Sequence, residues 1–329
     1  MFDAVLVVSF GGPEGLADVR PFLGNVLRGR RVSPQRVEEV AHHYEMFGGV
    51  SPLTAITRRQ AEGLGERLAA RGHPLPVYVG MRNWHPFLAD TLREMHAAGV
   101  RRAIGFIAAA QHSYSSCHQY RENVAAARAE LRQAGADVDV TFVGSWFDHP
   151  LFVQANAAHV TDARNRLPDA VRDRARLVFT AHSIPLSMAE RSLYREQLHQ
   201  SAQRVAEAAD MHDWAVVYQS RSGRPEDPWL EPDVCDYLRR ERAAGLAAAV
   251  LCPIGFVCDH IEVLYDLDTE AAKVCTDIGL PMSRAAAVND DPLFLDMMAD
   301  VVLQTVHRYN GRRPLALAAN HGGVEARRP

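Results

Sequence analysis

Three carboxylates recur at four-residue intervals in one short stretch of the chain, at Glu262, Asp266 and Glu270. In a helix this spacing places the three side chains on one face, and a helix is predicted over residues 257–279. Like charges four residues apart destabilise a helix by about 0.2–0.5 kcal/mol per pair, so the pattern favours a site that attracts cations. An acidic stripe can also be a solvated face, and the helix dipole favours acids near a helix start. Apolar neighbours such as Ile261 favour the functional interpretation.

The carboxylates follow an apolar strand, and the whole chain alternates such strands with helical patterns. Near-continuous apolar strands, each followed by a helix, indicate an α/β fold with parallel sheets covered on both faces. The strands are predicted at residues 4–10, 76–81, 103–109, 138–143, 176–181, 214–219, 247–252 and 282–286. Four strands per half predict two similar domains, 1–148 and 149–312. The last helix of the second domain can also pack against the first domain. Residues 313–329 are expected to form a polar tail.

Polar side chains follow most of these strands. Ligands of parallel α/β folds lie beyond the carboxyl ends of the strands, so residues that are distant in sequence converge there. The segment Gln111–Ser113 after the third strand resembles Ala181–Ser183 after the fifth, at matching positions in the two halves. Each segment carries a histidine followed by a serine. Ser183 beside His182 does not form a catalytic triad, because adjacent side chains at a strand end point to opposite faces.

Composition excludes several classes of protein. The 329 residues are 47% hydrophobic with a net charge of −4, which disfavours broad nucleic-acid binding. No apolar run reaches about 18 residues, so no transmembrane helix is expected, and the N-terminus predicts a first strand rather than a signal peptide. The five cysteines are scattered, which is typical of a reduced, cytoplasmic protein. Neither a dinucleotide-binding glycine pattern nor a P-loop occurs, so a nucleotide cofactor is disfavoured.

Several motifs together resemble the ferrochelatase family. They occur in the family's order between residues 3 and about 308, and they are GGVSPL (48–53), MRNWHP (81–86), SSCHQY (115–120), AHSIP (181–185), YQSRSG (218–223), WLEPD (229–233) and PIGFVCDHIE (253–262). The resemblance implies a lyase of haem and porphyrin biosynthesis that inserts ferrous iron into a porphyrin. It also implies a cleft between two Rossmann-like domains, each with a four-stranded parallel sheet, that need no nucleotide.

The resemblance implies that His182 and Glu262 are the paired metal-site residues. An imidazole and a carboxylate suit Fe²⁺, and so few ligands leave the ion free to be passed on. Insertion releases two pyrrole protons, which an imidazole of near-neutral pKa can accept. The division between ligand and base is left open for His182. Asp266 and Glu270 fall where the family continues its acidic path as an outer cation site.

The resemblance also places residues against the macrocycle. Tyr44, Ser51 and Tyr120 match positions that line the porphyrin site, where an aromatic face can stack and a hydroxyl can reach a propionate. A role as core tyrosines is the alternative for Tyr44 and Tyr120. The cluster Arg28–Arg31 near the cleft mouth offers cations for carboxylates, although basic surface clusters can also be only solubilising.

The chain departs from the family pattern at three places. Phe10 stands where bacterial coproporphyrin enzymes usually have a tyrosine, and phenylalanine cannot bind a metal axially. His43 precedes Tyr44 where such enzymes often carry arginine, which weakens the expectation of a basic residue there. No cysteine follows Cys275, so an iron–sulfur cluster held by C-terminal cysteines is not expected.

Polarity favours coproporphyrin III as the substrate. The stretch 14–34 is short and rich in charge, unlike the hydrophobic lip of protoporphyrin enzymes, so at most peripheral membrane contact is expected. Porphyrin and ferrous iron are the expected partners of a monomer in the cytoplasm. The alternatives are a protoporphyrin IX ferrochelatase, a cobalt chelatase of the same fold, and a carrier that binds porphyrin without inserting metal.

Overall fold

A computed structural model describes residues 1–29, 32–222 and 226–310. Its eight strands form two four-stranded sheets in which every neighbouring pair of strands is parallel. The strands are β1 Ala4–Ser9, β2 Val77–Met81, β3 Arg102–Ile107, β4 Asp139–Phe142, β5 Ala175–His182, β6 Trp214–Gln219, β7 Ala248–Cys252 and β8 Met282–Arg284. The strand orders β2-β1-β3-β4 and β6-β5-β7-β8 repeat one topology. The two-sheet, parallel α/β prediction is confirmed.

Helices cover both faces of each sheet. The longer ones are α1 Leu16–Val26, α2 Pro34–Met46, α3 Leu53–Ala70, α4 Leu88–Ala97, α5 Gln119–Gln133, α6 Pro150–Asn165, α9 Tyr194–Ala208, α10 Val234–Ala243 and α13 Pro292–Asn310. Short helices are α7 Asp169–Arg172, α8 Leu186–Ala189, α11 Ile261–Tyr265 and α12 Ala272–Asp277. Every residue of the central strand β1 and of β7 is buried, which explains their uninterrupted apolar sequence. Within the described residues, no helix is both long and apolar enough to span a bilayer.

The two halves share a core. The largest buried cluster contains Phe106 of the first sheet and Phe179 of the second, together with Phe294 of α13. Helix α13 packs against α3, where Leu295 fills the space beside Gly63 so closely that a Cβ there would lie 2.6 Å from it. The domain boundaries 1–148 and 149–312 stay a prediction, and the proposed tail lies outside the described residues.

Hydrogen bonds also join the carboxyl edges of the two sheets. The Gln111 amide donates to the carbonyl of Ile254 at 3.3 Å, and the backbone N–H of His112 donates to Gln197 Oε1 at 2.7 Å. Gln60 of α3 donates to the carbonyls of Val257 and Asn289. The segment that follows β7 is therefore bonded directly to the first half of the chain.

The helix predicted over 257–279 differs from the observed structure. Residues 253–260 form a loop, α11 begins at Ile261, and a π-helical segment, Asp266–Ala271, separates α11 from α12. Tertiary hydrogen bonds hold the loop out of the helix, because the backbone N–H of Asp259 donates to Asn289 Oδ1. A second π-helical segment, Tyr114–His118, precedes α5.

Candidate active site

His182 is the last residue of β5, at the carboxyl edge of the second sheet. Its Nδ1 lies within hydrogen-bond distance of the carbonyl oxygen of Ser183. A carbonyl can only accept, so Nδ1 carries the proton and the lone pair of the neutral ring is on Nε2. That Nε2 lies 3.9 Å from Glu262 Oε2, and the two side chains are 34% and 40% exposed. An imidazole lone pair and a carboxylate therefore converge at one solvent-accessible point.

Glu262 lies in the first turn of α11, where a neighbouring histidine caps the helix. The ring nitrogen Nδ1 of His260 accepts the backbone N–H of Glu262 at 3.2 Å, in place of the usual oxygen cap. Burial lowers the pKa of His260, and the nearby Glu262 carboxylate opposes this shift. A neutral ring keeps the acceptor that the cap requires. His260 therefore orients Glu262 through the backbone.

Asp266 is the carboxylate of the three whose pKa the site raises furthest. Burial raises the pKa of Asp266 to about 7, with further increases from the Glu262 and Glu270 carboxylates, against hydrogen bonds that lower it. Those bonds come from the Ser220 hydroxyl and from Gln219 Nε2, the latter at 3.2 Å. The three predicted carboxylates thus lie close enough to influence one another. Asp266 can take up or release a proton near neutral pH.

Gln219 connects two members of the acidic row, defined as Glu262, Asp266 and Glu270. Its Nε2 donates both to the backbone carbonyl of Glu262, at 3.0 Å, and to Asp266 Oδ2. Gln219 is 1% exposed and ends β6, so the sheet fixes the amide in place. The sequence analysis assigned no role to Gln219 or Ser220. The signal was available, because Gln219 is a polar residue at the carboxyl end of a strand and Ser220 directly follows it.

Tyr44 and Tyr120 both lie near Glu262, although they belong to the first half of the chain. Burial raises the pKa of each hydroxyl, and the Glu262 carboxylate adds to the increase in both. Tyr44 is 9% exposed and Tyr120 is 7% exposed. Ser51 is also buried, and its hydroxyl lies so close to Gly12 that a Cβ there would approach it to 2.8 Å. The structure brings the two tyrosines to the metal-site candidates.

Phe10 belongs to an aromatic cluster beside this point. Phe22 makes edge-on contacts with Phe10, Tyr44 and Trp84, with ring centroids 5.6–6.2 Å apart. Ile261, which directly precedes Glu262, is buried in the same cluster. Arg82 lies over the Phe10 ring with its guanidinium carbon 5.9 Å from the ring centroid, a neighbour to which the sequence analysis assigned no role. An apolar wall with one cation therefore borders the acidic helix.

The two remaining candidates occupy different surroundings. His43 stacks on Tyr265 with ring centroids 3.6 Å apart and an interplanar angle of 13°. Burial lowers the pKa of His43, with smaller contributions from Arg36 and His42, so the ring is a poor cation at neutral pH. Arg28 is exposed, and its guanidinium donates to Asn25 Oδ1 at 2.7 Å. The neighbouring candidates Arg30 and Arg31 lie outside the described residues.

His182 and Glu262 form a small set of candidate metal ligands. Among the described residues, no group of three or more His, Cys, Asp or Glu side chains is arranged to hold a metal ion. His182 and Glu262 supply one nitrogen and one carboxylate, and the remaining coordination positions are left to water or to a second ligand. Such an arrangement suits an ion that is bound and then passed on.

Comparisons with known proteins identify the family. The ferrochelatase family model matches residues 2–306. The chain is 46% identical to the coproporphyrin III ferrochelatase of Mycolicibacterium smegmatis, over 95% of this chain and 92% of that protein. It is also 46% identical to a ferrochelatase of Rhodopirellula baltica, over 95% of this chain and 89% of that protein.

A solved structure shares the fold at low sequence identity. The sirohydrochlorin chelatase SirB from Bacillus subtilis, in complex with cobalt, superposes with a TM-score of 0.56 and 11% identity. The match covers 95% of this chain and 98% of that chain. By the match over nearly its whole length and by its similarity to these relatives, the chain belongs to the ferrochelatase family.

Proposed function

We propose that this protein inserts Fe²⁺ into coproporphyrin III, giving Fe-coproporphyrin in haem biosynthesis. The observation that carries the proposal is the pair formed by His182 and Glu262, whose Nε2 and Oε2 face each other at 3.9 Å. The names of the Mycolicibacterium smegmatis relative and of a second one from Streptomyces coelicolor support the choice of porphyrin. We propose further that the protein acts as a monomer in the cytoplasm, which the mass in solution and cell fractionation would test.

The His182–Glu262 pair serves both halves of the reaction. Fe²⁺, the substrate metal, binds to Nε2 of His182 and to the Glu262 carboxylate before transfer. As iron forms bonds to the four ring nitrogens, two pyrrole N–H bonds break and two protons leave. The Nε2 lone pair is free again once the ion has gone, so it accepts one proton. The same atom therefore acts first as ligand and then as base.

Asp266 and Glu270, the two members of the acidic row behind this pair, remove protons and supply cations. Asp266, with its pKa raised to about 7, takes up the second proton through the acidic face and releases it to solvent. Glu270 is exposed at the outer end of the row, where it attracts cations. Tyr265 supports this path, since it opposes the rise that burial causes in the pKa of Glu270, and it stacks on His43.

The first half of the chain holds the macrocycle. The aromatic cluster of Phe10, Phe22, Tyr44 and Trp84 offers an apolar wall for a flat ring. Coproporphyrin carries four carboxylates, and the exposed Arg28 provides a cation that can bind one of them. Ser51 and the hydroxyl of Tyr120 are further contacts in this proposal.

Anaerobic metal insertion tests the proposal. The purified protein is given Fe²⁺ with coproporphyrin III or protoporphyrin IX, and the porphyrin spectrum is followed. We expect coproporphyrin to be metalated with the larger kcat/KM. A preference for protoporphyrin would overturn the substrate, whereas binding of both porphyrins without metalation would support a carrier and overturn the reaction. Metalation of sirohydrochlorin by Co²⁺, with no iron inserted into either porphyrin, would identify a cobalt chelatase.

A further inference from the structure

Arg284 lies behind the acidic row. It donates hydrogen bonds to two other carboxylates of the same segment, one before the row and one within it. Its Nη1 donates to Asp259 Oδ1 at 2.7 Å, three residues before Glu262. Its Nε and Nη2 donate to the two carboxylate oxygens of Asp268 at 2.6 and 2.7 Å, inside the π-helical segment. Arg284 is the last residue of β8, so one rigid strand end holds two points of the segment.

The guanidinium is well placed for this role. The side chain of Arg284 is 14% exposed and that of Asp259 is 17% exposed, while Asp268 is 38% exposed. A planar guanidinium binds a carboxylate through two parallel bonds, which fixes orientation as well as distance. Asp259 is fixed in turn, because its other oxygen accepts the Asn289 amide at 2.8 Å. The contact with Asp268 therefore holds the π-helical turn against an immobile partner.

The π-helical turn determines how the carboxylates align. In an α-helix each residue turns by about 100°, so residues four apart are offset by about 40°. Hydrogen bonding from i to i+5 puts more residues in each turn, so Asp266 and Glu270 lie more nearly above one another. Asp268 lies between them and points to the opposite side, where Arg284 binds it. Holding Asp268 thus sets the direction of the two functional carboxylates.

We propose that Arg284 is a positioning residue that keeps Glu262, Asp266 and Glu270 aligned for iron uptake. This inference rests on the proposed function, since it concerns delivery of the substrate metal. Arg284 does not touch the reacting atoms in this proposal. It acts through Asp268 and Asp259, and its loss lets the segment relax toward an ordinary α-helix in which Glu270 turns away from Asp266.

A matched control exists at the opposite end of the same sheet. Arg176, near the start of β5, also bridges two carboxylates, with Nε 2.8 Å from Asp213 and Nη1 2.7 Å from Glu241. Its side chain is 25% exposed. Arg176→Met removes a comparable guanidinium without altering the acidic row. A general loss of stability should therefore affect both variants, whereas misalignment of the acidic row should affect only Arg284→Met.

The test compares Arg284→Met, Asp268→Asn and Arg176→Met in the anaerobic insertion assay. We expect Arg284→Met to raise the KM for Fe²⁺ by about tenfold, with kcat at saturating iron and coproporphyrin affinity each within about twofold of wild type. Asp268→Asn, at an exposed carboxylate, should shift the KM in the same direction by a smaller factor. Arg284→Lys should not restore the KM, because an ammonium cannot form the two parallel bonds. An iron KM that rises no more in Arg284→Met than in Arg176→Met would overturn the proposal.

Calorimetric titration of Fe²⁺ into the porphyrin-free proteins separates this proposal from the proposed function. If wild type fails to metalate coproporphyrin, the proposed reaction is wrong, but the titration still compares iron affinity among the variants. Weaker iron binding in Arg284→Met than in Arg176→Met supports the positioning role. Equal iron binding in the two variants contradicts it.

Discussion

Two histidine–serine pairs follow strands in the two halves of the molecule, and both their topological positions and their surroundings differ, since β3 matches β7 and β5 matches β1 in the repeated strand order. His112 follows β3, and its Nδ1 lies 2.8 Å from the buried thiol of Cys117. His182 ends β5 and presents its free Nε2 to Glu262. Ser113 caps a π-helical segment, whereas the Ser183 hydroxyl donates to the carbonyl of Leu230. The prediction that the two pairs lie at matching positions is therefore wrong, and a shared dipeptide does not define a site.

The two sheets also differ in the kind of side chain that lies at their carboxyl edges. Beside the first sheet lie aromatic rings, with Phe22 in contact with Phe10, Tyr44 and Trp84. Beside the second lie ionisable groups, with Asp266 bonded to Ser220 and Gln219. In the proposed function one sheet supplies the surface for the macrocycle and the other supplies the metal and proton chemistry. The two sheets share one strand order, and the proposal assigns them different tasks.

The largest expected effect comes from breaking the His182–Glu262 pair. His182→Ala and Glu262→Gln should each reduce kcat/KM for iron by about 10²–10⁴, because each removes a ligand and the first also removes a base. The double variant should lose little more than the worse single variant, since the two groups act as a unit. Steady-state insertion rates for the three proteins provide the measurement.

Additive losses would contradict this account of the pair. If the double variant lost the product of the two single factors, His182 and Glu262 would act independently. Coproporphyrin fluorescence with each variant serves as the control, since ring binding depends on the first half and should persist.

A smaller effect is expected for Asp266, in the way the free energy of unfolding depends on pH. Its pKa is raised in the folded state from an ordinary 3.8 to about 7, so the folded protein keeps a proton that the unfolded chain has lost. Wild type should therefore become less stable as pH rises from about 4 to about 7 relative to Asp266→Asn, which has no proton to lose. Between pH 5 and pH 8 we expect the free energy of unfolding of the variant to rise by about 2–3 kcal/mol relative to that of wild type.

Urea unfolding at the two pH values measures this change. Asp236→Asn is the control, because that carboxylate is 78% exposed at the protein surface. A stability difference between wild type and Asp266→Asn that stays constant from pH 5 to pH 8 would show that Asp266 is not held in a proton-retaining environment.

Much of this fold could be predicted from sequence periodicity. Trp214–Gln219 was predicted to the residue, and the other seven strands within a few residues at each end, because buried parallel strands carry uninterrupted apolar runs. The π-helical segment Asp266–Ala271 could not be predicted. Its turn is held by Arg284, which is distant in sequence, and by contacts that no local pattern encodes.

The candidate site was predictable to a similar degree. The four-residue spacing identified Glu262, Asp266 and Glu270, and the resemblance identified His182. The role of Gln219 depends on the side-chain contact with Asp266 that only the folded sheet creates. The stacking of His43 on Tyr265 could likewise not be predicted from the sequence, since α2 and α11 meet only in the tertiary structure. The roles of all the candidate site residues stay predictions, namely those of His182, Glu262, Asp266, Glu270, Tyr44, Ser51, Tyr120, Phe10, Arg28 and His43.

The smallest expected effect concerns the cleft mouth in the first half. Arg28→Ala should weaken coproporphyrin binding by up to about fivefold, because exposed ion pairs contribute about 0.2–1 kcal/mol. Added salt should reduce the difference between variant and wild type. Fluorescence titration at low and high salt measures both. If variant and wild type bind coproporphyrin equally at low salt, Arg28 does not contact the porphyrin. The porphyrin carboxylates would then bind to other cations.

Single-turnover insertion tests the central claim most directly, namely that His182 acts in metal insertion while His112, the histidine of the other histidine–serine pair, does not. Preformed complexes of coproporphyrin III with wild type, His182→Ala and His112→Ala are mixed anaerobically with Fe²⁺, and the absorbance change is followed. We expect wild type and His112→Ala to metalate the ring at rates within about twofold of each other, as an exposed substitution allows. His182→Ala should keep the ring bound but lose insertion by at least about 10². Insertion by His182→Ala at the wild-type rate, or its loss in His112→Ala instead, would contradict the assignment of the metal chemistry to the second half.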